Sequence, residues 1–392
     1  MNGEDRIPMR RVRIIVIAFM LLTSFSLTSS TSESCPYSSI FSFGDSLADT
    51  GNLYLSSPPL SDNCFLPPYG ETFFHNVTGR CSDGRLIIDF IAEFLGIPSV
   101  KPYLEKKNIG GGWSWKDGGA NFAVAGATAM DSTFFQQRGI PVNTNYSLSV
   151  QLTWFKELLS TLCNSSSQSC HEEVKNSLFL VGEIGGNDFN HPLVVGKSIA
   201  EVKSYVPNVI NTVSSITKEL IGLGARTLMV PGIFPFGCRV IYLTIYETKV
   251  EKQYDKFGCL KWLNEFAEYY NHELQIELNK LRALHPHVNI IYVDYYNAAM
   301  TLYRRPAKFG LIALKACCGK GGPYNFNVSI QCGDPGVNAC DDPSKYIGWD
   351  GKHLSEAAYK LIAQAFIKGP YSFPQFSSLC LTNVNYGYTR TF

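Results

Sequence analysis

SIFSFGDSLADTGN, residues 39–52, is the most informative stretch of this amino-acid sequence. Its first five residues predict a short buried strand, and Gly44-Asp45 predicts a turn at the end of that strand. Ser46 would then start a helix, where backbone N–H groups and the helix dipole favour developing negative charge. Ser46 is therefore a candidate nucleophile, and the alternative is an Asp-Ser turn that only caps the helix.

Strand-like and helical patterns alternate along the rest of the chain. Further strands are predicted at residues 121–124, 178–181, 227–230 and 288–293, and helices at 85–95, 199–223, 259–284 and 355–366. This alternation predicts an α/β fold, in which a parallel sheet forms the middle layer of a three-layer sandwich with helices on both faces. Reactive groups in such sheets collect at the carboxyl ends of the strands, so the residues that follow each strand are site candidates.

The composition indicates a globular protein with a small, weakly charged partner. Of the 392 residues, 45% are hydrophobic and 17% are charged, which argues against a disordered chain. The net charge of +1, without a long charge run, argues against binding to nucleic acid or to an anionic membrane. The glycine-rich stretch 110–119 lacks the nucleotide-binding patterns, and no paired CxxC motifs form a zinc pattern. We therefore expect no nucleic acid partner, no cofactor and no metal.

The N-terminal residues have the pattern of a secretory signal peptide. Four arginines precede an apolar run at residues 14–22, and Thr/Ser-rich sequence follows it. This run is about half as long as the roughly 20 residues that cross a bilayer. We expect residues 1–31 to be a signal peptide, with a retained anchor as the alternative, and residues 35–380 to form a single domain. The mature protein is expected to have no stable membrane anchor.

Cysteines and glycosylation sequons also indicate secretion. All twelve cysteines follow the predicted signal peptide, and an even number in a secreted chain predicts disulfide bonds. N-x-S/T sequons, which are acceptor patterns for N-glycans, occur at Asn76, Asn145, Asn164 and Asn327. The chain is thus expected to enter the endoplasmic reticulum and to reach the extracellular space or the vacuole.

A second candidate for chemistry is the pair Asp350 and His353, just before the last predicted helix. Because they are three residues apart on one loop, the two side chains can face the same way. The carboxylate would then hold the imidazole in the tautomer that takes a proton from a serine. A DxxH pattern by itself is common and carries little weight.

Glycine-containing turns follow two more of the predicted strands. The Gly126 backbone N–H, in Ala125-Gly126-Ala127, and the Asn187 side-chain amide, in Gly185-Gly186-Asn187-Asp188, can point at one place. Ester hydrolysis needs such donors where the carbonyl oxygen becomes an oxyanion. The alternative is that both segments are only tight turns.

Taken together and in this order, the four segments resemble the plant-type GDSL esterase/lipases of the SGNH-hydrolase superfamily. The matching blocks are FSFGDSLADTGN at 41–52, NFAVAGA at 121–127, GGND at 185–188 and DGKH at 350–353. GRCSDGR at 79–85 and PGIFPFGC at 231–238 also match a plant subgroup. That subgroup is similar to secreted esterases of plant specialised metabolites, of the acetylajmalan esterase and sinapine esterase kind.

The resemblance implies a fold, an activity and a set of roles. The fold is a flavodoxin-like sheet of about five parallel strands between helices. The activity is that of a secreted serine esterase, which hydrolyses small acyl esters of plant metabolites or lipids without a cofactor. Ser46 is implied as the nucleophile, His353 as the general base and acid, and Asp350 as the residue that orients His353. The backbone N–H groups of Ser46 and Gly126 and the Asn187 side chain are implied as the oxyanion hole.

Two other functions stay open at this point. The same acyl-enzyme can pass its acyl group to an alcohol, which would make the protein an acyltransferase. A secreted glycoprotein that binds an ester or a glycan in an inert cleft is the non-catalytic alternative. The acyl and alcohol groups of the substrate do not follow from these motifs, because specificity depends on loops.

Other polar residues near the motifs are expected to be structural. We expect Arg80, Asp83 and Arg85 to form an ion-pair turn, with a role in substrate binding as the alternative. Glu183 is expected to pack behind the site, and the alternative is that it reaches the site. Asp45 and Asp188 are expected to make hydrogen bonds that hold turns. The remaining histidines are expected at the surface or in the core; they are His75, His171, His191, His272, His285 and His287.

Overall fold

Strand β1 has the bounds that the sequence predicts, Ser39–Phe43, in a computed structural model that describes residues 35–58, 62–110, 112–163 and 168–380. The predicted signal peptide, residues 1–31, and the sequon asparagine Asn164 lie outside the described residues. All five residues of β1 are buried, as expected for an apolar strand with elements on both sides.

The main sheet has six strands within the described part of the chain, in the order β2-β1-β3-β4-β5-β8. The first five are parallel, and β8 pairs antiparallel with β5. A separate two-stranded sheet is formed by β6 and β7. The strands after β1 are β2 Gly119–Asn121, β3 Ser177–Val181, β4 Thr227–Pro231, β5 Asn289–Val293, β6 Ile312–Ala316, β7 Tyr346–Gly348 and β8 Ser372–Phe373. The prediction of an α/β fold with about five parallel strands is confirmed, and β8 extends the sheet at one edge.

The strand order fixes where a site can form. The chain passes from β1 to β2 on one side of the sheet, and β3 then pairs with β1 on the other side. Sheets of this kind bind ligands outside the carboxyl ends of the strands, where the order reverses. The turn after β1 and the turn after β3 therefore face the same crevice.

Helices cover the sheet, and thirteen of them are α-helical in the described ranges. They are α1 Asn52–Ser56, α2 Ile87–Leu95, α3 Tyr103–Asn108, α4 Ser132–Gln136, α5 Leu148–Leu162, α6 Gln168–Lys175, α7 Gly186–Val194, α8 Ile199–Lys203, α9 Val206–Gly222, α10 Val240–Ile245, α11 Lys261–Leu284, α12 Tyr295–Arg304 and α13 Glu356–Ile367. The single helix predicted at 199–223 is two helices, because Pro207 lies in the first turn of α9 and cannot continue a preceding helix. None of the helices in the described residues is both long and apolar enough to cross a membrane.

Aromatic side chains on β1 and β3 fill the core between the sheet and α5. Phe155 of α5 lies 5.1 Å from Phe41 and 5.5 Å from Phe179, measured between ring centroids. All three rings are fully buried. Rings at these distances pack favourably, and they hold β1 rigidly beneath the turn that follows it.

The twelve cysteines form six disulfide bonds and leave no free thiol, as the even count predicts. The pairs are Cys35–Cys380, Cys64–Cys81, Cys163–Cys170, Cys238–Cys259, Cys317–Cys340 and Cys318–Cys332. The first pair joins the two ends of the described chain. The second pair closes a segment that leads to the candidate site.

Candidate active site

Ser46 lies at the carboxyl end of β1, in a single helical turn. The Asp49 backbone N–H closes this turn by donating to the Asp45 carbonyl oxygen at 2.9 Å. The expectation that Ser46 starts a helix is wrong in this detail, because α1 begins only at Asn52. The reason is the Asp49 carboxylate, which accepts from the N–H groups of Gly51 at 2.7 Å and Asn52 at 2.6 Å and so separates the turn from the helix.

Ser46, His353 and Asp350 form one hydrogen-bonded line. His353 Nε2 lies 2.8 Å from Ser46 Oγ, and His353 Nδ1 lies 2.7 Å from Asp350 Oδ2. The serine and the histidine are 307 positions apart in the sequence. Such a line lets the imidazole take a proton from the hydroxyl while the carboxylate stabilises the charge that results.

Asp350 is held as a carboxylate. Its Oδ1 accepts backbone hydrogen bonds from Lys352 at 2.9 Å and from His353 at 2.7 Å. Burial by itself raises the pKa of Asp350, but its charge interaction and hydrogen bonds with His353 outweigh burial and hold that pKa well below its usual range. Asp350 therefore stays ionised, and its backbone bonds fix the plane of the carboxylate.

Gly126 lies in a turn beside Ser46, with φ at 79°. A Cβ at this position would lie 2.8 Å from the Asn143 Cβ, so the turn has room only for glycine. Within the described residues, the backbone N–H groups of Gly126 and Ser46 donate no hydrogen bond. Both N–H groups are thus free to bind an oxyanion.

Asn187 lies in the first turn of α7 and is almost fully buried. Its Nδ2 donates to the Ala127 carbonyl oxygen at 3.0 Å and lies 3.4 Å from Asp45 Oδ2. One of the two amide hydrogens is therefore well bound, and the other has only a long contact. The amide can therefore donate a hydrogen bond through this second hydrogen to a substrate oxygen.

Buried polar side chains tie the first three sequence blocks together. The Asp49 carboxylate accepts from the Ala125 N–H at 2.8 Å, which joins the first block to the second. The Asp188 carboxylate accepts from the N–H groups of Ala129 at 2.7 Å and Met130 at 3.0 Å, which joins the third block to the second. The role predicted for Asp188, that of holding a turn, is confirmed by these bonds. Buried networks of this kind fix the relative position of the loops.

The turn before Ser46 has a further support that the sequence analysis missed. Gln151 of α5 is fully buried, and its amide bonds both backbone groups of Gly44. It accepts from the Gly44 N–H at 2.8 Å and donates to the Gly44 carbonyl oxygen at 2.8 Å. A lone glutamine on an amphipathic helix has no pattern that distinguishes it from a surface residue, so only the fold identifies it.

Four acidic side chains near the site are buried and unusually hard to ionise. Burial raises the pKa of Asp45 and of Asp188 to about 7 and that of Asp49 to about 6. It raises the pKa of Glu183 well above the ordinary value. The expectation that Glu183 packs behind the site is wrong, because Glu183 lines the same cavity as Ser46.

All five residues predicted for the site, Ser46, Gly126, Asn187, Asp350 and His353, line one cavity of about 460 Å³. This size lies within the range of small-molecule sites. Other side chains give the cavity an aromatic wall and two cations, and these are Tyr69, Phe234, Phe236, Tyr242, Tyr295, Arg239 and Lys352. The cavity thus combines the reactive groups with a surface that can hold a small organic molecule.

Not every cavity residue follows from the sequence. Phe234 and Phe236 lie in the PGIFPFGC segment, whereas Tyr69 has no motif. His191 also lines the cavity, with Nε2 3.3 Å from the Gly126 carbonyl oxygen, and burial lowers the pKa of its imidazole. The expectation that His191 is only a surface or core residue is therefore wrong.

The ion-pair turn expected of Arg80, Asp83 and Arg85 does not form as predicted, because both arginines pair with residues outside the GRCSDGR segment and neither pairs with Asp83 in the described residues. Arg80 pairs with Asp89 at 2.8 Å, and Arg85 pairs with Glu356 at 2.8 Å. Asp83 accepts from the Glu356 backbone N–H at 2.8 Å. Because α13 begins at Glu356, these contacts join the segment to the helix that follows His353.

Comparison with known proteins gives a family match over most of the chain. The family model described as GDSL-like Lipase/Acylhydrolase matches residues 40–366. This range contains Ser46, Gly126, Asn187, Asp350 and His353.

Curated plant proteins match nearly the full length. GDSL esterase/lipase At1g28600 of Arabidopsis thaliana is 53% identical over 371 residues, which cover 93% of each chain. GDSL esterase/lipase At2g27360 of the same plant is 53% identical over 374 residues, 94% of this chain and 93% of the relative. The sinapine esterase of Brassica napus is 50% identical over 374 residues, 94% of this chain and 95% of the relative.

Proposed function

This chain belongs to the GDSL-like lipase/acylhydrolase family, and we propose that it hydrolyses carboxylic esters through an acyl-enzyme formed on Ser46. The observation that carries the proposal is the line Asp350–His353–Ser46, with contacts of 2.7 and 2.8 Å, whose three residues line the cavity. A buried carboxylate, an imidazole and a partly buried hydroxyl, bonded in this order, are the groups that make a serine nucleophilic.

In the first half of the reaction, His353 Nε2 takes the proton of the Ser46 hydroxyl as Oγ attacks the ester carbonyl carbon. The bond from the carbonyl carbon to the alcohol oxygen then breaks, and His353 gives its proton to the departing alcohol. Asp350 stabilises the imidazolium between these two transfers.

In the second half, water replaces the alcohol. His353 Nε2 takes a proton from the water as its oxygen attacks the acyl carbon, and the proton returns to Ser46 Oγ as the acid leaves. One imidazole serves both halves because its other nitrogen stays bonded to Asp350.

Three donors stabilise the oxyanion in this proposal. They are the N–H groups of Ser46 and Gly126, which have no acceptor within the described residues, and the Asn187 amide, whose contact to Asp45 is long at 3.4 Å. Loss of one such donor typically lowers the rate by about 10²–10³-fold.

The proposed substrate is an ester of a small plant metabolite or lipid. The cavity volume of about 460 Å³ and the aromatic wall support a small organic molecule. The relative named sinapine esterase supports an ester of a plant metabolite. Rates on acetyl, sinapoyl and long-chain esters, measured side by side, would identify the acyl group.

We further propose that the protein is secreted and N-glycosylated. Six disulfide bonds support an oxidising compartment, because thiols in the cytosol are kept reduced. The sequon asparagines Asn76, Asn145 and Asn327 are exposed, as acceptors of glycans must be. A mass shift after treatment with peptide N-glycosidase would test the glycans, and the N-terminal sequence of the mature protein would test the signal peptide.

Replacement of the nucleophile tests the reaction directly. Ser46→Ala should lower kcat on p-nitrophenyl acetate by about 10⁴-fold or more, because among the described residues no other hydroxyl is bonded to His353. Ser42→Ala is the matched control, since Ser42 is a buried serine on β1 whose hydroxyl has no partner in the described residues. It should keep wild-type activity.

A fluorophosphonate probe supplies an independent readout. It should label the wild type and Ser42→Ala, and it should not label Ser46→Ala. Substantial hydrolysis by a folded Ser46→Ala variant would contradict the assignment of Ser46, and a wild type that is neither labelled nor active would contradict the proposed reaction.

A further inference from the structure

Tyr69 makes a contact that the proposed reaction does not yet use. Its hydroxyl donates to Asp350 Oδ2 at 2.7 Å, and both side chains are buried. The same oxygen accepts the hydrogen bond from His353 Nδ1, also at 2.7 Å. The phenol and the imidazole therefore share one acceptor atom of the triad.

A disulfide-closed segment brings Tyr69 to this place. The segment runs from Cys64 to Cys81, and its disulfide lies against the triad, since both sulfurs and a ring nitrogen of His353 are all within 4.8 Å of one another. The Tyr69 ring also packs edge-on against Trp349, with 5.9 Å between ring centroids. The side chain is thus fixed by covalent closure on one side and by packing on the other.

A second set of bonds joins the segment to the helix after His353. The Thr72 N–H donates to the Asp83 carbonyl oxygen at 2.8 Å, and the Thr72 hydroxyl donates to the Asp83 carboxylate at 2.6 Å. The other carboxylate oxygen of Asp83 accepts from the first N–H of α13 at 2.8 Å. Because both anchors hold the same segment, the position of the Tyr69 hydroxyl relative to Asp350 is set by the fold.

The phenol is a neutral donor at every working pH. Burial raises the pKa of Tyr69 well above its ordinary value, and the nearby Asp350 charge raises it further. A neutral hydroxyl that donates to a buried carboxylate makes a strong, short hydrogen bond.

We propose that Tyr69 is a positioning residue of the triad, whose hydroxyl fixes the Asp350 oxygen that holds His353. This inference rests on the proposed function, because it assigns a role in the same reaction. Tyr69 keeps Oδ2 at the end of the imidazole in line with Nδ1, while the backbone amides of Lys352 and His353 hold Oδ1.

The sign of the pH effect follows from the shared oxygen. The phenol draws negative charge from Oδ2, so it weakens the attraction of Asp350 for a protonated His353. Without the phenol, that attraction grows, and the acid limb of the kcat/KM profile moves to higher pH. Other charged or titratable groups act on Tyr69, Asp350 or His353, and they are Asp45, Asp62, Asp334, Lys352 and Tyr359. Arg239 acts in turn on two of these groups, Asp45 and Tyr359.

Tyr69→Phe tests the proposal, because it keeps the ring on Trp349 and removes only the hydroxyl. Loss of a charge-assisted hydrogen bond should lower kcat by about tenfold, with KM within about twofold of wild type. The acid limb of the pH profile of kcat/KM should move to higher pH by about half a unit or more. Tyr205→Phe is the matched control, since Tyr205 is also buried and donates to a carboxylate, Glu201, at 2.7 Å, outside the cavity.

The outcomes separate this inference from the proposed function. An active wild type whose kcat and acid limb are matched by Tyr69→Phe would overturn the inference alone. A wild type no faster than Ser46→Ala would overturn the proposed function and this inference with it. If Tyr69→Phe does not fold, 3-fluorotyrosine at position 69 takes its place. Because its hydroxyl is more acidic, the acid limb of kcat/KM should move to lower pH. An acid limb at the wild-type pH would overturn the inference.

Discussion

Glu183 is a residue of the site whose conformation and burial are unfavourable for the stability of the folded protein. Its backbone has a φ of 35°, which is unusual for a residue with a Cβ, and its side chain is nine-tenths buried. Its Oε2 has no hydrogen-bond partner in the described part of the chain. Burial raises the pKa of Glu183 well above 4.5, so the folded protein keeps a proton that the unfolded chain releases.

Glu183→Gln should therefore change how stability depends on pH. A raised folded pKa gives stability that is present below the unfolded pKa of about 4.5 and is lost as pH rises above it. Glutamine carries no charge and is not subject to this loss. The free energy of unfolding of the variant, relative to that of wild type, should therefore increase as pH rises above about 5. Urea unfolding at each pH measures the difference. Glu93→Gln, at an exposed glutamate, is the control. The prediction would be refuted if the free-energy difference between Glu183→Gln and wild type varied with pH no more than that of the control.

The first turn of helix α13 anchors the loop that carries His353, which ends just before the helix. Glu356, its first residue, accepts from Arg85 Nη2 at 2.8 Å and from the Arg85 backbone N–H at 2.9 Å. Arg85 also pairs with Glu93 at 2.9 Å, but the Glu93 side chain is 66% exposed, against 10% for Glu356. One arginine therefore makes a buried and an exposed ion pair, so the contributions of the two pairs to the free energy of unfolding can be compared directly.

Glu356→Ala should lower the free energy of unfolding by about 3 kcal/mol, because it leaves a largely buried arginine without its buried partner and with only the exposed Glu93. Glu93→Ala should lower it by less than about 1 kcal/mol, since exposed pairs contribute little. Urea unfolding measures both. Glu356→Ala should also lower kcat, because the turn that carries His353 loosens when α13 loses its anchor. Equal stability of the two variants would mean that the buried pair does not anchor the helix.

The elements that the sequence predicts well are those with a dense apolar run. β1 has its predicted bounds, and β3 and β5 differ from theirs by one residue. β2 is Gly119–Asn121 rather than 121–124, because its position is set by pairing with β1, where Ile40 lies opposite Gly119. A glycine, an alanine and an asparagine have no strand character of their own, so tertiary pairing overrides local propensity here.

For the molecule as a whole, the motifs bring together the residues that react but not those that hold them. Ser46, Asp350 and His353 lie in blocks of recognisable spacing, and the structure places them within hydrogen-bonding distance. Tyr69 and Gln151 stand in segments without such spacing, and each acts on a partner more than 100 positions away. Contacts at this separation depend on the path of the whole chain, which periodicity and local motifs do not describe.

The disulfide bond between Cys35 and Cys380 acts on the whole chain, since 345 positions separate its cysteines, whereas Cys163–Cys170 spans 7. Closing the longer loop restricts the unfolded chain more, by about 6 kcal/mol against about 2 kcal/mol in a chain-entropy model. The double variant Cys35→Ala/Cys380→Ala should therefore unfold at lower urea than Cys163→Ala/Cys170→Ala. None of the four cysteines lines the cavity, so kcat should be unchanged in both variants well below their unfolding transitions. An equal loss of stability in the two variants would show that strain or residual structure, rather than loop length, governs these bonds.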